Sequence, residues 1–447
     1  MAQLKHFFSS LYLSSVFFIL LGVNAAFFLL AFLLPGLLIL SKVSLLLLLV
    51  LTLTDGLLMY QNKNGLEGKR NLPDRLSNGD ENKISLSFRN NYPFPLRLSI
   101  IDEVPFQFQW RNRSLNLRIG AGKEGETSYS LFPKERGSYG FGHLNVLVNG
   151  PLGLVQRRFI FGEEVELPCY PSFIQMRKYQ LMAISNRLSE FGVKQIRRLG
   201  HTTEFEQIKE YVRGDDYRTV NWKATARAGK IMVNQYMDER SQAVYCLVDK
   251  SRVMQMPFEG MTLLDHAINA SLVISNIAIH KHDRAGLITF CEKIDNVLPA
   301  DRRAIQMNRI LEVLYKQETD FLEADYERLY ALVKRKIASR SLLILFTNFE
   351  SLSALRRQLP FLQSLARMHL LMVVFFENTE LSHLLQSKPS RLEDIYIKTV
   401  GEDFAFKKKQ IAKELEQHGI ISILTPPSRL TVNTLNKYLE LKSRGLA

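Results

Sequence analysis

Residues 243–253 read AVYCLVDKSRV: six apolar residues without a break, then Asp249, Lys250, Ser251 and Arg252. A strand covered on both faces needs such an uninterrupted run, because neither face meets water. Ala243–Val248 is therefore predicted to be a strand of a buried sheet. The same kind of run recurs at Ala285–Phe290, Leu342–Phe346, Leu370–Phe376 and Ile420–Leu424. Between them Leu264, Ala267, Ala270, Ile274 and Ile277 recur at helical spacing, predicting a helix over Leu263–His280. Further helices are expected at Ala304–Tyr315, Tyr326–Ile337, Ser353–Ala366, Ala405–Gln417 and Val432–Leu441. Strands and helices alternating at these lengths predict a doubly wound, mainly parallel α/β domain over residues 241–447. Ligands of such sheets bind beyond the carboxyl ends of the strands, which selects the residues after Val248 and Phe346.

Upstream of that strand, residues 205–240 read FEQIKEYVRGDDYRTVNWKATARAGKIMVNQYMDER. The stretch mixes both signs of charge and holds Trp222, one of two tryptophans, a residue that surface loops rarely spend. Gly214 signals a turn before Asp215 and Asp216, and Ala224, Ala226 and Ala228 predict a short, tightly packed element after Trp222. One reading is a structured linker whose carboxylates and arginines pair with each other. The other is a polar recognition or catalytic cluster of Glu206, Glu210, Asp215, Asp216, Arg218 and Arg227. As a hydrolase, the chain would use Asp215 and Asp216 with Glu206 or Glu210, and His201 as a base. Adjacent aspartates usually point different ways, and Lys209 between Glu206 and Glu210 suggests an ion pair. The sequence holds no GxSxG, HExxH or Walker A motif.

Residues 205–236, FEQIKEYVRGDDYRTVNWKATARAGKIMVNQY, resemble the signature of the bacterial family known as domain of unknown function 58. The residues that carry it are Glu206, Glu210, Tyr211, Gly214, Asp215, Asp216, Arg218, Asn221, Trp222 and Arg227. A looser likeness runs from about Arg136 to Asn348. That family resembles a von Willebrand factor A domain and often accompanies MoxR-type AAA+ ATPases. The resemblance thus implies an A-like fold for the last domain and an ATPase of that type as protein partner. An A domain places a DxSxS metal motif after its first strand, with oxygens suited to Mg²⁺ or Mn²⁺. Here Asp249 and Ser251 are in place, but Val253 replaces the second Ser. Thr319 is the candidate for a threonine from a later loop, and Asn348 stands where an Asp is called for; Asp320 lies nearby in sequence but outside the motif. Only Asp249 supplies a carboxylate, so the expected site of Asp249, Ser251, Thr319 and Asn348 is degenerate and metal-free, with Mg²⁺ the alternative. It could still dock a partner through Asp249, Ser251 and the strand-end backbone.

The 447 residues have room for two or three domains, and the formal net charge is +14. A basic balance suits anionic lipid or an acidic protein; without basic runs interleaved with stacking aromatics, no nucleic acid partner is expected. Cys169, Cys246 and Cys291 fit no metal or redox spacing and read as buried thiols in a reducing compartment. Apolar residues concentrate at the start. Leu11–Leu34 carries no charge, Pro35 and Gly36 break the run, and Val43–Tyr60 continues it with Asp55 near its end. Residues 1–62 are therefore predicted to be a membrane anchor of two transmembrane helices joined by a tiny loop holding Lys42. Residues 63–80 read as a linker and 81–173, with period-two alternation between Gly, Asn and Pro turns, as an antiparallel β-sandwich acting as spacer or docking module. Residues 174–240 read as a helical region followed by the signature stretch; Arg187, Lys194, Arg197 and Arg198 in its helix could lie against headgroups. The expected whole is a membrane-anchored interaction or scaffold protein of the bacterial cytoplasmic membrane, with no cofactor.

Lys5 before the first run, and Lys63, Lys69, Arg70 and Arg75 after the second, put both flanks in the cytoplasm by the positive-inside rule. In inside-out vesicles added protease should digest the region after residue 62; shielding of that region would overturn the orientation.

Overall fold

A computed structural model describes residues 10–34, 36–110, 114–184, 204–212, 215–237, 241–258, 260–319, 321–378 and 392–445. The chain forms two compact units, Met1–Tyr170 and Pro171–Ala447.

The first unit begins with a three-residue strand, β1 (Leu11–Leu13), and then two apolar helices, α1 (Ser15–Leu33) and α2 (Leu37–Tyr60). Both are long and apolar enough to cross a membrane. At 1.5 Å per residue they span roughly 28 and 36 Å, against a hydrocarbon core of about 30 Å. Two expectations are corrected. Leu11–Leu13 is not helical, because it pairs antiparallel with Val155–Arg157; Ser14 then caps α1, accepting from Phe17 N. Lys42 is not in the connecting loop: α2 starts at Leu37 and carries it inside the helix. The helices meet through a buried polar contact, where Asn24 donates to the Ser41 carbonyl and the Ser44 hydroxyl.

After α2 come β2 (Leu66–Asn71), β3 (Leu76–Ser77), β4 (Asn82–Asn90), β5 (Leu96–Asp102) and β6 (Leu115–Ile119). They are followed by β7 (Glu124–Leu131), β8 (Gly137–Phe141), β9 (Leu144–Asn149), β10 (Val155–Phe161) and β11 (Val165–Tyr170). An antiparallel sheet ordered β1-β10-β9-β5-β6, a second ordered β2-β4-β7 and a third ordered β3-β11-β8 share one apolar core. Alternation selects that core: Ile84, Leu86 and Phe88 from β4 meet Leu98 and Ile100 from β5 and Val146 and Val148 from β9. The pair β11–β3 is parallel, the one departure from an antiparallel arrangement in these sheets. Residues 63–80 are not simply a linker. Leu66 and Leu76 are buried in the core, so β2 and β3 belong to the sheets. The side chain of Arg70, one of the positive charges counted for orientation, is buried and bonded to Asp102 (2.7 Å) and the Gly142 carbonyl (2.9 Å).

The end of α2 is locked into this unit. Asp55 is buried and accepts backbone N–H groups from Leu152 (3.0 Å), Leu154 (2.9 Å) and Val155 (3.0 Å). Arg157 donates to the carbonyls of Met59, Asn62 and Lys63 and lies over the rings of Tyr60 and Phe159. Tyr92 adds a hydroxyl to the Met59 carbonyl (2.7 Å). Helix C-termini leave carbonyls without partners, and here a cation and a phenol supply them.

The second unit opens with α3 (Phe173–Ile184) and a hairpin of β12 (Glu204–Glu210) and β13 (Met232–Met237), which frames the short helix α4 (Trp222–Ala228). Residues 187–198, whose basic side chains could form a solvated helix face or lie against headgroups, are outside the described residues. Then follow β14 (Ala243–Asp249), the two-residue β15 (Pro257–Phe258) and β16 (Met261–Thr262), α5 (Leu263–His280), β17 (Arg284–Phe290) and β18 (Ile294–Asp301). The remainder is α6 (Ile305–Tyr315), α7 (Tyr326–Lys336), β19 (Leu342–Phe346), α8 (Leu352–Met368), β20 (Leu370–Phe376), α9 (Leu392–Gln417), β21 (Ile421–Thr425) and α10 (Leu430–Ser443). The sheet order is β18-β17-β14-β19-β20-β21, parallel throughout except for the edge strand β18. Tyr245, Leu247, Leu343, Leu345, Val373 and Phe375 face α7, α8 and α9. On the alternate face Cys246 lies against Ser271 and Ser275 of α5. Cys169 and Cys246 are buried, whereas Cys291, one residue past β17, is only half-buried.

The Asp55 contact gives a direct test. Asp55→Ala removes the acceptor of three buried donors, each worth about 1–3 kcal/mol when left unsatisfied. Hydrogen exchange at Leu152, Leu154 and Val155 should accelerate sharply in the variant; unchanged protection would mean the contact holds nothing in place.

Candidate functional site

Asp215, Asp216, Asn221 and Thr225 are used in building the hairpin. Asp215 accepts from Lys209 Nζ (2.9 Å) and Val212 N (3.0 Å), and the Lys209 bond, then the backbone bond, hold its carboxyl below the usual range. Asp216 accepts from Arg218 N (2.9 Å) and starts a 3₁₀ turn over Tyr217–Thr219. Asn221 caps α4 through Ala224 N (3.0 Å) and reaches Asn234 with its amide (2.8 Å). Thr225 accepts from Met232 N, and Gly229, at φ +65°, ends the helix. Glu210 pairs with Lys230, and Tyr211 N donates to the Ile231 carbonyl.

Several sequence expectations change here. Among the described residues, carboxylates of this stretch pair with Lys209 and Lys230, not with its arginines. Lys209 takes Asp215 as its partner, because the alternation of β12 turns it away from its sequence neighbours. Trp222, expected to be packed, is 76% exposed, since α4 rests on β13 through its opposite side. Arg218 and Arg227 are exposed as well. His201, Gly214 and the side chain of Glu206 lie outside the described residues. A general acid needs a raised pKa, yet Asp215 moves the other way.

At the strand ends a second cluster forms. Asp249, the last residue of β14, is fully buried. Its Oδ1 accepts from Ser251 N (2.8 Å), and its Oδ2 accepts from the hydroxyls of Thr347 (2.6 Å) and Tyr326 (3.2 Å). Burial pushes its pKa up, and the bonds from Ser251, Thr347 and Tyr326 only partly oppose that. Asn348 lies beside it, donating to the Val253 carbonyl (3.3 Å) and accepting from Lys408 Nζ of α9 (2.5 Å). Lys408 is buried near the rings of Phe375 and Phe404, and desolvation brings its pKa down to about 8 despite Glu350.

Asp249, Ser251 and Asn348 line one open cleft with Arg252, Tyr326 and Arg357. Thr319 does not join them: its hydroxyl donates to the Lys250 carbonyl (2.7 Å) and accepts from Phe321 N (3.0 Å). Lys250 itself is buried, bonded to the Glu318 carbonyl and paired with Asp295. The place expected for Thr319 beside Asp249 is taken by Tyr326 and Thr347. Thr347 was visible as the residue after Phe346, but nothing in the sequence set Tyr326 or Lys408 apart from other helix residues. Among the described residues no three His, Cys, Asp or Glu side chains gather as metal ligands. The oxygen of Asn348 faces an ammonium, and both oxygens of Asp249 already have protein donors, so this set does not fit a divalent cation.

Hairpin and strand-end cleft both fall inside one family match. Residues 207–377 match the model described as "Protein of unknown function DUF58". That stretch is similar to the DUF58 family. The DUF58 segment runs from β12 through β20 and so includes Asp215, Trp222, Asp249 and Asn348. The "Uncharacterized protein YeaD" of Bacillus subtilis (strain 168) is similar at 25% identity over 194 residues. That alignment takes in 39% of this chain and 45% of YeaD, so the chain spans under half the length of its relative. Among solved structures, the conserved hypothetical protein BatB from Bacteroides thetaiotaomicron aligns at 12% identity and a TM-score of 0.30, over 46% of this chain and all of BatB. A PapD-like domain of human CEP192 aligns at 11% identity and a TM-score of 0.19, over 24% of this chain and 87% of that domain. Likeness at these scores carries no argument about the chain.

Lys408 and Asp249 give opposite titration behaviour. Lys408 is held below its ordinary 10.5, so the folded state binds fewer protons than the unfolded one between about pH 8 and 10.5. Its contribution to stability therefore rises with pH across that window. Lys408→Met should flatten that rise relative to the unsubstituted chain in melts at successive pH values; parallel profiles would show Lys408 already titrating normally. Asp249→Ala, which strands two buried hydroxyls, should cost about 1–3 kcal/mol, and Asp249→Asn less.

Proposed function

We propose that this chain is a membrane-anchored interaction protein whose second unit is a von Willebrand A-like domain with a metal-free strand-end site. The reading combines the DUF58 match with the two apolar helices, and the strand-end cluster carries it. There a buried carboxylate takes two hydroxyls, and a lysine ammonium takes the Asn348 oxygen beside them, where an A domain would hold a cation. A site closed in this way offers a rigid floor, and the exposed groups around it, Arg252 and Arg357 with Glu323 and Glu350, are free to meet a protein surface. The resemblance implies a MoxR-type AAA+ ATPase as the partner, with both soluble units on the cytoplasmic side. The alternative, a hydrolase around Asp215 and Asp216, has against it that both carboxylates serve as caps and turn anchors.

Mg²⁺ titrated into the full-length protein in detergent should leave its melting temperature unchanged; a saturable rise that needs Asp249 would restore the metal reading. Affinity purification from native membranes should recover an AAA+ ATPase with the wild-type chain, and less with Arg252→Glu combined with Arg357→Glu. Equal recovery with that variant, while its melting temperature is normal, would move the docking surface away from the cleft.

A further inference from the structure

The hairpin bonds the carboxylates of Glu210, Asp215 and Asp216 to its own groups and leaves aromatic and cationic side chains exposed. Asp215 is bonded to Lys209 and Val212 N, Asp216 to Arg218 N, and Glu210 to Lys230. Tyr217 is 72% exposed and Trp222 76%, with Val212 and Ile231 exposed beside them where β12 and β13 meet the loop. Arg218, Lys223 and Arg227 are exposed and have no acidic partner among the described residues; Arg218 instead lies over the Tyr217 ring. On α4, positions 222, 223, 226 and 227 share one side, so indole, ammonium and guanidinium project together. The element is convex: a short helix and a 3₁₀ turn mounted on a two-stranded ribbon.

Indole and phenol rings, flanked by aliphatics and exposed cations, match the boundary between lipid headgroups and acyl chains. A convex tip of this composition needs no pocket in its partner, and a fluid anionic surface meets each of its groups. We propose that the tip carrying Tyr217, Arg218, Trp222, Lys223 and Arg227 is a second membrane contact, which takes anionic phospholipid headgroups. The proposal rests on the membrane-anchored reading for the proximity of a bilayer, and it gives the exposed half of the signature a task apart from the strand-end cleft.

Trp222 reports on its own contact. The full-length chain and its Trp222→Phe variant are reconstituted in nanodiscs of phosphatidylcholine alone and of phosphatidylcholine with phosphatidylglycerol. The difference spectrum isolates Trp222 and leaves Trp110, packed on Tyr129, untouched. In the phosphatidylglycerol discs its emission should shift to the blue, and acrylamide quenching should fall by roughly half as the indole leaves water for the interface. High salt, or Arg218→Glu, Lys223→Glu and Arg227→Glu together, should restore full quenching. Full quenching of Trp222 in both lipids overturns the proposal while reconstitution itself upholds the anchor. Equal shielding in both lipids, indifferent to salt, also overturns it and assigns the tip to a protein surface or a second copy.

Discussion

The first unit depends on what happens to the last carbonyls of one apolar helix. Met59, Asn62 and Lys63 lie at and just beyond the end of α2, where backbone acceptors would otherwise go unmet. Arg157 reaches all three from β10, and Tyr60 and Phe159 sandwich its guanidinium. Asp55, a turn earlier in α2, takes three amides from the connection between β9 and β10. Charges are thus spent on backbone groups and not on each other, which fixes direction as well as distance. Ser14 adds a third fastening, its amide donating to the Leu154 carbonyl (2.9 Å). Both helices are therefore hydrogen-bonded to the sheet strands and their connections where they meet them.

The second unit follows the same economy at the other end of its logic. Parallel strands end together, and their terminal polar residues must find partners among themselves or in a ligand. Here they find one another. Asp249 accepts from Thr347 and Tyr326, whose hydroxyl oxygens lie 2.8 Å apart, and Lys408 answers Asn348 from a helix more than a hundred residues away from β14 in sequence. Burial raises the pKa of Asp249 and lowers that of Lys408 to about 8, so desolvation works against the charged form of each. At the opposite end of the sheet Asp283, just before β17, is bonded to Tyr438 and Lys442 of α10, which ties the last helix to the sheet.

The sheet was legible because its signal is physical and redundant. Runs such as Leu342–Phe346 and Leu370–Phe376 are buried on both faces, and no water-facing strand or loop could carry so many apolar residues in a row. Leu11–Leu13 was lost for the same reason: inside a long apolar run, strand and helix look alike, and only Ser14 marks the change. β2 and β3 escaped notice because single leucines, Leu66 and Leu76, carry their burial among charged neighbours. At the strand ends Asp249 and Asn348 could be placed by counting from the strands. Thr319 could not, since loop direction decides where a hydroxyl points. Lys408 stands in a run of three lysines, and sequence gives no reason why the middle one should be buried. Trp222 misled because residue type predicts burial only on average.

One feature of the anchor bears on how the protein is handled. α2 supplies Met59 to the core of the sheets, Asp55 to the β9–β10 connection, and carbonyls to Arg157, while β1 covers one edge of β10. A soluble version beginning after Tyr60 would thus bare a strand edge, cost Arg157 the Met59 carbonyl and the Tyr60 ring, and open a hole beside Tyr92. Solubility gained by trimming would come from a different, stickier molecule. The apolar helices are as much internal scaffold as tether.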